Sequence, residues 1–346
     1  MNELQTILSD TVTRLFTDRV TTDLRERTEK GEWPAALWQH VEENGLTLPQ
    51  VPEARGGAGG TWQDAHVVVT AAGRFGVPLP IAETMVGGWL LAQAGLDVPL
   101  GPMTVAPVRP GESLALSRDG SGFRLDGTAS RVPWGRNAGH VVVHAGEMVA
   151  LVAGGAARVT PDVNLALEPR DTLAFAGAPV LAAAAPRLPK DAVRMWGALV
   201  RSAQMAGGLE YLLAQTVQYV SERKQFGRPI GGFQAIQHQL AILAGHTAAA
   251  GMAAASAFRA ADRGDARFET AVAKVRAGEA AGLGAGIAHQ CHGAIGFTYE
   301  HSLHFVTRRL WSWRAEFGAE GEWAAAIGTD VAAAGPDGLW PFITSR

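Results

Sequence analysis

The apolar residues of this chain change their spacing twice, and that pair of changes restricts the fold more than any single motif. From Leu4 to Phe16 they recur at helical intervals (Leu4, Ile7, Leu8, Val12, Leu15, Phe16) and give one buried face. Pro34 to Asn44 reads as a second helix, opened by proline and stopped by Gly45. After the loop LPQVPEARGGAGGTW, the stretches Gln63 to Phe75 and Ala82 to Ala94 read as two more helices, rich in alanine and leucine. Beyond GLDVPLGP short Val/Leu/Ala runs alternate with turn signals: Asp119-Gly120 and Asp126-Gly127 read as turns, and HVVVHA and MVALVA as strands paired through Gly146-Glu147. From Lys190 the helical period returns in a stripe through Val193, Trp196, Leu209, Leu213, Val217 and Val220, followed by helices at Phe233, Phe268 and Leu303.

The expected class is therefore α+β and mainly α. A helical N-terminal domain (1–103) precedes a small antiparallel β-barrel or sandwich (104–187) and a C-terminal four-helix bundle (188–346). The 30 Lys+Arg against 33 Asp+Glu set up no field suited to nucleic acid or a membrane surface, so a small ligand or a soluble partner is expected. Cys291 is the single cysteine, which excludes an internal disulfide and a thiolate metal cage and fits a reducing cytoplasm. With Glu3, Asp10 and Asp18 among its apolar residues, the N-terminal segment reads as the first helix rather than as a signal peptide or membrane span.

Two stretches carry chemistry. SERKQFGRPIGGFQAIQ (221–237) groups Arg223, Lys224 and Arg228 around Phe226, then turns through Gly227, Pro229, Gly231 and Gly232 into a new helix at Phe233. A helix end, a Gly/Pro turn and a following helix N-terminus form a corner able to hold phosphate or pyrophosphate, with Arg223 as a bidentate donor. The plainer alternative is a capped corner whose cations face water. QCHGAIGFTYEHSLHFVTRRL (290–310) places a Gly-rich turn before a helix opened by Thr298 and Glu300. The run Glu300-His301-x-x-His304 has neither the order nor the spacing of a zinc site and predicts no metal. Cys291 reads as a packed side chain, and Trp311, Trp313 and Trp323 read as core or subunit contacts.

Together the two stretches resemble the acyl-CoA dehydrogenase family. The resemblance rests on Arg223, Phe226, Gly227 and Pro229, on Gln234 in the next helix turn, and on Gln290, Gly293, Gly296 and Phe297, within the helix–barrel–helix order of nearly the whole chain. It implies FAD as cofactor and α,β-desaturation of an acyl-CoA thioester, a Glu taking the α-proton while the β-hydrogen leaves as hydride. It also implies that Arg223, Gln225, Phe226, Gln234, Gln290 and Gly293 hold the pyrophosphate and adenosine of a neighbouring subunit's FAD. Electron-transfer flavoprotein is the implied acceptor.

Two departures qualify that picture. The family's Thr-Glu and Gly-Ser-Asp segment around the flavin ring has no counterpart in GPMTVAPVRPGESLALSRDGSGFRLDGTASRV, although VPWGRNAGHVVV matches the next landmark. The two family positions for the catalytic Glu fall on Phe317 and Gly197, so the catalytic residue is unassigned. Glu316, one residue short of the first, either pairs on the surface with Arg309 or Arg314, or serves as the base of a self-sufficient homotetramer. The expected assembly pairs this chain with a second acyl-CoA dehydrogenase chain (α2β2), as in bacterial degradation of steroid side chains and other bulky acyl-CoAs. The alternatives are a homo-oligomer or a silent scaffold of the same fold.

Overall fold

A computed structural model describes residues 2–345. Among them, the helices before the sheet are α1 (Glu3–Arg19), α2 (Thr22–Glu29), α3 (Ala35–Glu43), α4 (Trp62–Phe75) and α5 (Ile81–Gln93). Local chemistry sets their ends: Asn2 with Gln5, and Thr61 with Asp64, form capping boxes at α1 and α4, and Gly76 closes α4 at φ +57°. Helix α2 has no apolar stripe to announce it. It is anchored by Arg25, which is buried and donates to the Phe75 carbonyl at 2.7 Å.

The strands are β1 (Met103–Val105), β2 (Ser113–Asp119), β3 (Gly122–Pro133), β4 (His140–Ala145), β5 (Met148–Ala153), β6 (Arg158–Thr160) and β7 (Arg170–Ala184). They lie in the order β1-β4-β5-β7-β3-β2, with β6 also on β7. This corrects the expected antiparallel barrel or sandwich: the sheet is mixed and does not close. Because β2 and β3 make an excursion between them, β4 returns parallel to β1, with Met103 opposite His140. HVVVHA and MVALVA do pair as expected, around Gly146 at φ +61°. Asp126-Gly127 is not a turn but an irregular point inside β3, where Gly127 has φ +123° and a Cβ would fall 2.0 Å from the Ser113 carbonyl oxygen.

Beyond the sheet run α6 (Ala192–Glu222), the short hairpin β8 (Lys224–Gln225) and β9 (Arg228–Pro229), then α7 (Gln234–Asp262), α8 (Arg267–His292), α9 (Leu303–Ala315), α10 (Glu320–Ala334) and α11 (Leu339–Thr344). Helices α6 to α9 form the expected bundle around Leu209, Leu212, Leu243, Leu303 and Leu310. The N-terminal helices share one core with α6, in which Trp62 stacks on Trp196 at 4.7 Å. Glycines let α4 and α6 cross backbone to backbone: a Cβ on Gly207 would stand 1.9 Å from the Thr70 carbonyl oxygen, and one on Gly73 2.0 Å from that of Gln204.

A backbone carbonyl cannot rotate away from an added methyl, so Gly207→Ala should cost about 1–3 kcal/mol through overpacking and lower the melting temperature. Gly328→Ala, at an exposed α10 position where a Cβ meets nothing within 4 Å, should leave that temperature unchanged or raise it. Equal melting of the two variants would contradict the close crossing.

Candidate functional site

Two hollows lie at opposite ends of α6. At its C-terminal end, Arg223 leaves the helix in an extended conformation and β8 and β9 turn through Phe226 (φ +50°) and Gly227 (φ +78°). A two-residue turn with both central residues at positive φ suits Gly-rich pairs, so Phe226 holds a costly conformation of the sort that gathers at ligand sites. Its ring is 91% exposed. Helix α7 then begins without a side-chain cap, leaving donors at its N-terminus open.

Of the six residues expected at the cofactor, Arg223, Gln225, Phe226, Gln290 and Gly293 line this one hollow of about 430 Å³. Gln234 does not: it is the exposed first residue of α7, outside the wall. Gly293 ends α8 at φ +64°, a turn that brings Gln290 to the rim. The motifs gave no sign of Tyr219, which stacks on His292 at 4.3 Å and closes the wall. Cys291 is buried, and burial pushes its thiol pKa up, as expected of a packed side chain. A guanidinium, two carboxamides and an uncapped helix N-terminus are a donor set that suits a pyrophosphate.

The second hollow, about 710 Å³, lies between the sheet and the N-terminal end of α6, with Glu316, Phe317 and Gly318 in its wall. The two expected base positions meet here. A Cβ on Gly197 would fall 2.2 Å from the Phe317 ring, and Phe317 itself sits at φ +56°. A phenyl group fills the space where a carboxylate from either position would project.

Glu316 is neither a surface carboxylate nor paired with Arg309 or Arg314, contrary to expectation. Its Oε1 accepts from Arg170 Nε at 2.7 Å and from Asn164 Nδ2 at 3.3 Å, while Oε2 accepts from Arg201 Nε at 2.7 Å and Arg170 Nη2 at 3.1 Å. The network continues inward: Arg201 also binds Glu83 and Gln204, and Glu168 takes Arg170 at 2.9 Å, Arg309 at 3.1 Å and Trp313 Nε1 at 3.1 Å. Burial alone would raise the Glu316 pKa, but the Arg170 and Arg201 guanidiniums outweigh it and hold the group at about 2. A carboxylate with both oxygens engaged and that little basicity does not take a proton from carbon near neutral pH. Arg314 pairs instead with Glu320, and Arg308 with Glu29. Sequence reasoning missed Arg170, Arg201, Glu168 and Glu83 because they come from three separate stretches and form no motif.

A helix–sheet–helix chain with a cationic corner at one end of its longest helix and a cleft beside its sheet has the build of a flavin-dependent dehydrogenase. The family model for the acyl-CoA dehydrogenase N-terminal domain matches residues 2–97, and that for the C-terminal domain matches residues 194–321. The chain is 30% identical to the acyl-CoA dehydrogenase IpdE2 of Mycobacterium tuberculosis over 79% of its length and 80% of the relative's. To the acyl-CoA dehydrogenase FadE34 of the same organism it is 31% identical over 82% of its length, and it spans 40% of that longer protein. Two solved structures superpose with TM-scores of 0.88: the ChsE4-ChsE5 complex from Mycobacterium tuberculosis (25% identity, 96% of this chain and 98% of that one) and the Tcur3481-Tcur3483 steroid ACAD (26% identity, 95% and 98%). The chain belongs to the acyl-CoA dehydrogenase family, whose members are FAD-dependent oxidoreductases acting on CH–CH bonds.

Acid should expose the Glu316 clamp. Its folded pKa of about 2 lies below the ordinary 4.5, so its contribution is complete above pH 4.5 and is lost as pH falls from there towards 2. The full loss amounts to about 3 kcal/mol, to be read from urea unfolding at a series of pH values. Glu316→Gln should destabilise the chain by roughly 3–5 kcal/mol at neutral pH, since Arg170 and Arg201 lose their shared partner, and should flatten that acid dependence.

Proposed function

We propose that this chain is one subunit of a heteromeric acyl-CoA dehydrogenase, lending its Arg223 corner to the pyrophosphate of a flavin whose ring rests on a partner chain. The observation that carries this reading is a contrast between the two ends of α6: a corner that keeps its donors, and a cleft whose two base positions are Gly197 and Phe317. Arg194, at the cleft, and Tyr219, at the corner, both lie on α6, and the helical rise of about 1.5 Å per residue puts them roughly 37 Å apart along its axis. The corner keeps its donors, and the cleft holds no free carboxylate at either base position.

On this reading Arg223 neutralises pyrophosphate charge, Gln225 and Gln290 hydrogen-bond to it, Phe226 packs beside the cofactor, and Gly293 gives the backbone room at its far end. The partner supplies the Glu that removes the α-proton of the acyl-CoA thioester. FAD, when bound, accepts the β-hydrogen as hydride, and electron-transfer flavoprotein is the acceptor the family implies. Support comes from the two solved relatives, titled as a two-protein complex and as a steroid enzyme, which favour a bulky acyl-CoA substrate such as a steroid side chain.

The surface supports a partner as well. Phe226, Phe297 (73%) and Tyr299 (78%) stand exposed near the corner. Among the described residues α7 is the helix long and apolar enough to span a membrane, yet only 28% of its most apolar window is buried within the chain, with Ile242 and Met252 open. It packs on α6 and α8 by its other face, so the open side fits a subunit contact in a cytoplasmic assembly. The absence of a base is equally compatible with a silent scaffold, and flavin content separates the two.

Co-expressed with a partner dehydrogenase, the chain should purify in a complex holding one flavin per two chains and reducing an artificial acceptor with acyl-CoA. Arg223→Ala should weaken flavin retention about 10- to 100-fold, as expected for losing a charged hydrogen bond. Stoichiometric flavin and turnover by the chain alone would exclude the need for a partner chain, and flavin-free complexes would leave the scaffold.

A further inference from the structure

The cleft at the N-terminal end of α6 has lost room for a base but has not closed, and its charges do not balance. Asp191, Glu316 and Glu322 are the carboxylates in its wall, and each is taken: Asp191 by Arg267, Glu316 by Arg170 and Arg201, Glu322 by Arg194 at 3.1 Å. Of the wall's cations, Arg131 faces Asp162 at 3.2 Å and Arg170 is spent on Glu316 and Glu168. Arg109, on the loop after β1, and Lys190, just before α6, have no side-chain partner among the described residues. Two exposed, unpaired cations thus line the cleft, where no wall carboxylate is free to answer them.

Much of the remaining wall is apolar. Val108, Leu165, Val193, Trp311 and Phe317 line it, and Leu165 (65%) and Trp311 (45%) are exposed to it and to solvent. His144 adds one buried polar group: it is 9% exposed, lines the cleft, and its Nδ1 has no hydrogen-bond partner. Burial lowers its pKa, so the ring is neutral and able to donate or accept at little electrostatic cost. An orphaned buried nitrogen carries a desolvation penalty that a polar group of a ligand would relieve. At about 710 Å³ the hollow is in the range that encloses a drug-sized molecule.

We propose that this cleft is a non-catalytic binding site for an amphipathic organic carboxylate, its apolar body lying over Trp311 and Phe317 and its anionic head between Arg109 and Lys190. The ligand is held and not transformed, because no free base reaches it. The cleft lies at the other end of α6 from the Arg223 corner, so the inference does not depend on whether that corner holds flavin.

Calorimetric titration of the purified full-length chain with dodecanoate, dodecan-1-ol and dodecanoyl-CoA, all below their micelle concentrations, tests it. Dodecanoate should bind at one site and more tightly than the alcohol. The double variant Arg109→Gln/Lys190→Gln should weaken it about tenfold or more, the loss expected for contacts to charged groups. Leu165→Glu, an exposed substitution that puts a like charge in the wall, should weaken it too. All substituted side chains are at the surface, so an unchanged melting curve confirms that folding is not the cause. Equal affinity for the alcohol, undiminished binding by the double variant, binding of the thioester alone, or no binding of dodecanoate would each overturn the proposal.

Discussion

The bidentate hold of Arg170 and Arg201 on Glu316 is the contact on which the rest of the molecule depends. Arg170 begins β7, Arg201 lies in α6 with Glu83 of α5 behind it, and Glu316 follows α9, so one cluster joins the sheet, the N-terminal helices and the bundle. Three guanidiniums (Arg170, Arg201, Arg309) meet three carboxylates (Glu83, Glu168, Glu316), so the cluster is balanced in charge. A buried cluster of this kind contributes little stability over a well-packed apolar one, but removing one member leaves an unanswered charge and is costly. Its effect is to fix how the three units sit and therefore to set the shape of the cleft between them. Lys274 extends it: buried, with its pKa lowered to about 7 by desolvation while Glu316 and Glu320 oppose the shift, it donates to the Arg314 and Gly318 carbonyls and holds the turn that carries Phe317.

The helix–sheet–helix order could be read directly because apolar period is a local property: each stripe identifies its own element. So could the corner, where Arg223, Gln225 and Phe226 lie in one run and Gln290 and Gly293 in another. The failures share a cause. Helix α2 was missed because a cation, Arg25, anchors it. The Asp126-Gly127 pair reads as a turn because positive φ at glycine serves a strand irregularity as well as a loop. Closure of the sheet depends on whether its edge strands pair, which no local pattern encodes. The ion cluster draws on Glu83, Glu168, Arg170, Arg201, Arg309 and Glu316, which, the neighbours Glu168 and Arg170 apart, are brought together by tertiary packing.

Helix α6 acts as a ruler between two regions under different demands. Near Gly207 it is buried and closely crossed by α4, which fixes its axis in the body of the protein. Its far end emerges into a strained turn whose aromatic ring faces outward, a geometry that serves something arriving from outside. The cleft end is bound into the ion cluster. Rigidity in the middle is what allows the two ends to be held in register.

The contact between Gly197 and Phe317 makes the present state of the cleft difficult to reverse. An acid at 197 has no space while the ring remains, and shrinking the ring first removes packing from a core helix with nothing gained. An acid at 317 would instead face Arg201, whose ring contact with Phe317 is 5.6 Å, and that guanidinium would suppress its basicity as it does that of Glu316. Each single step towards a proton acceptor is therefore neutral at best. A proton acceptor at either position requires coordinated changes at both residues.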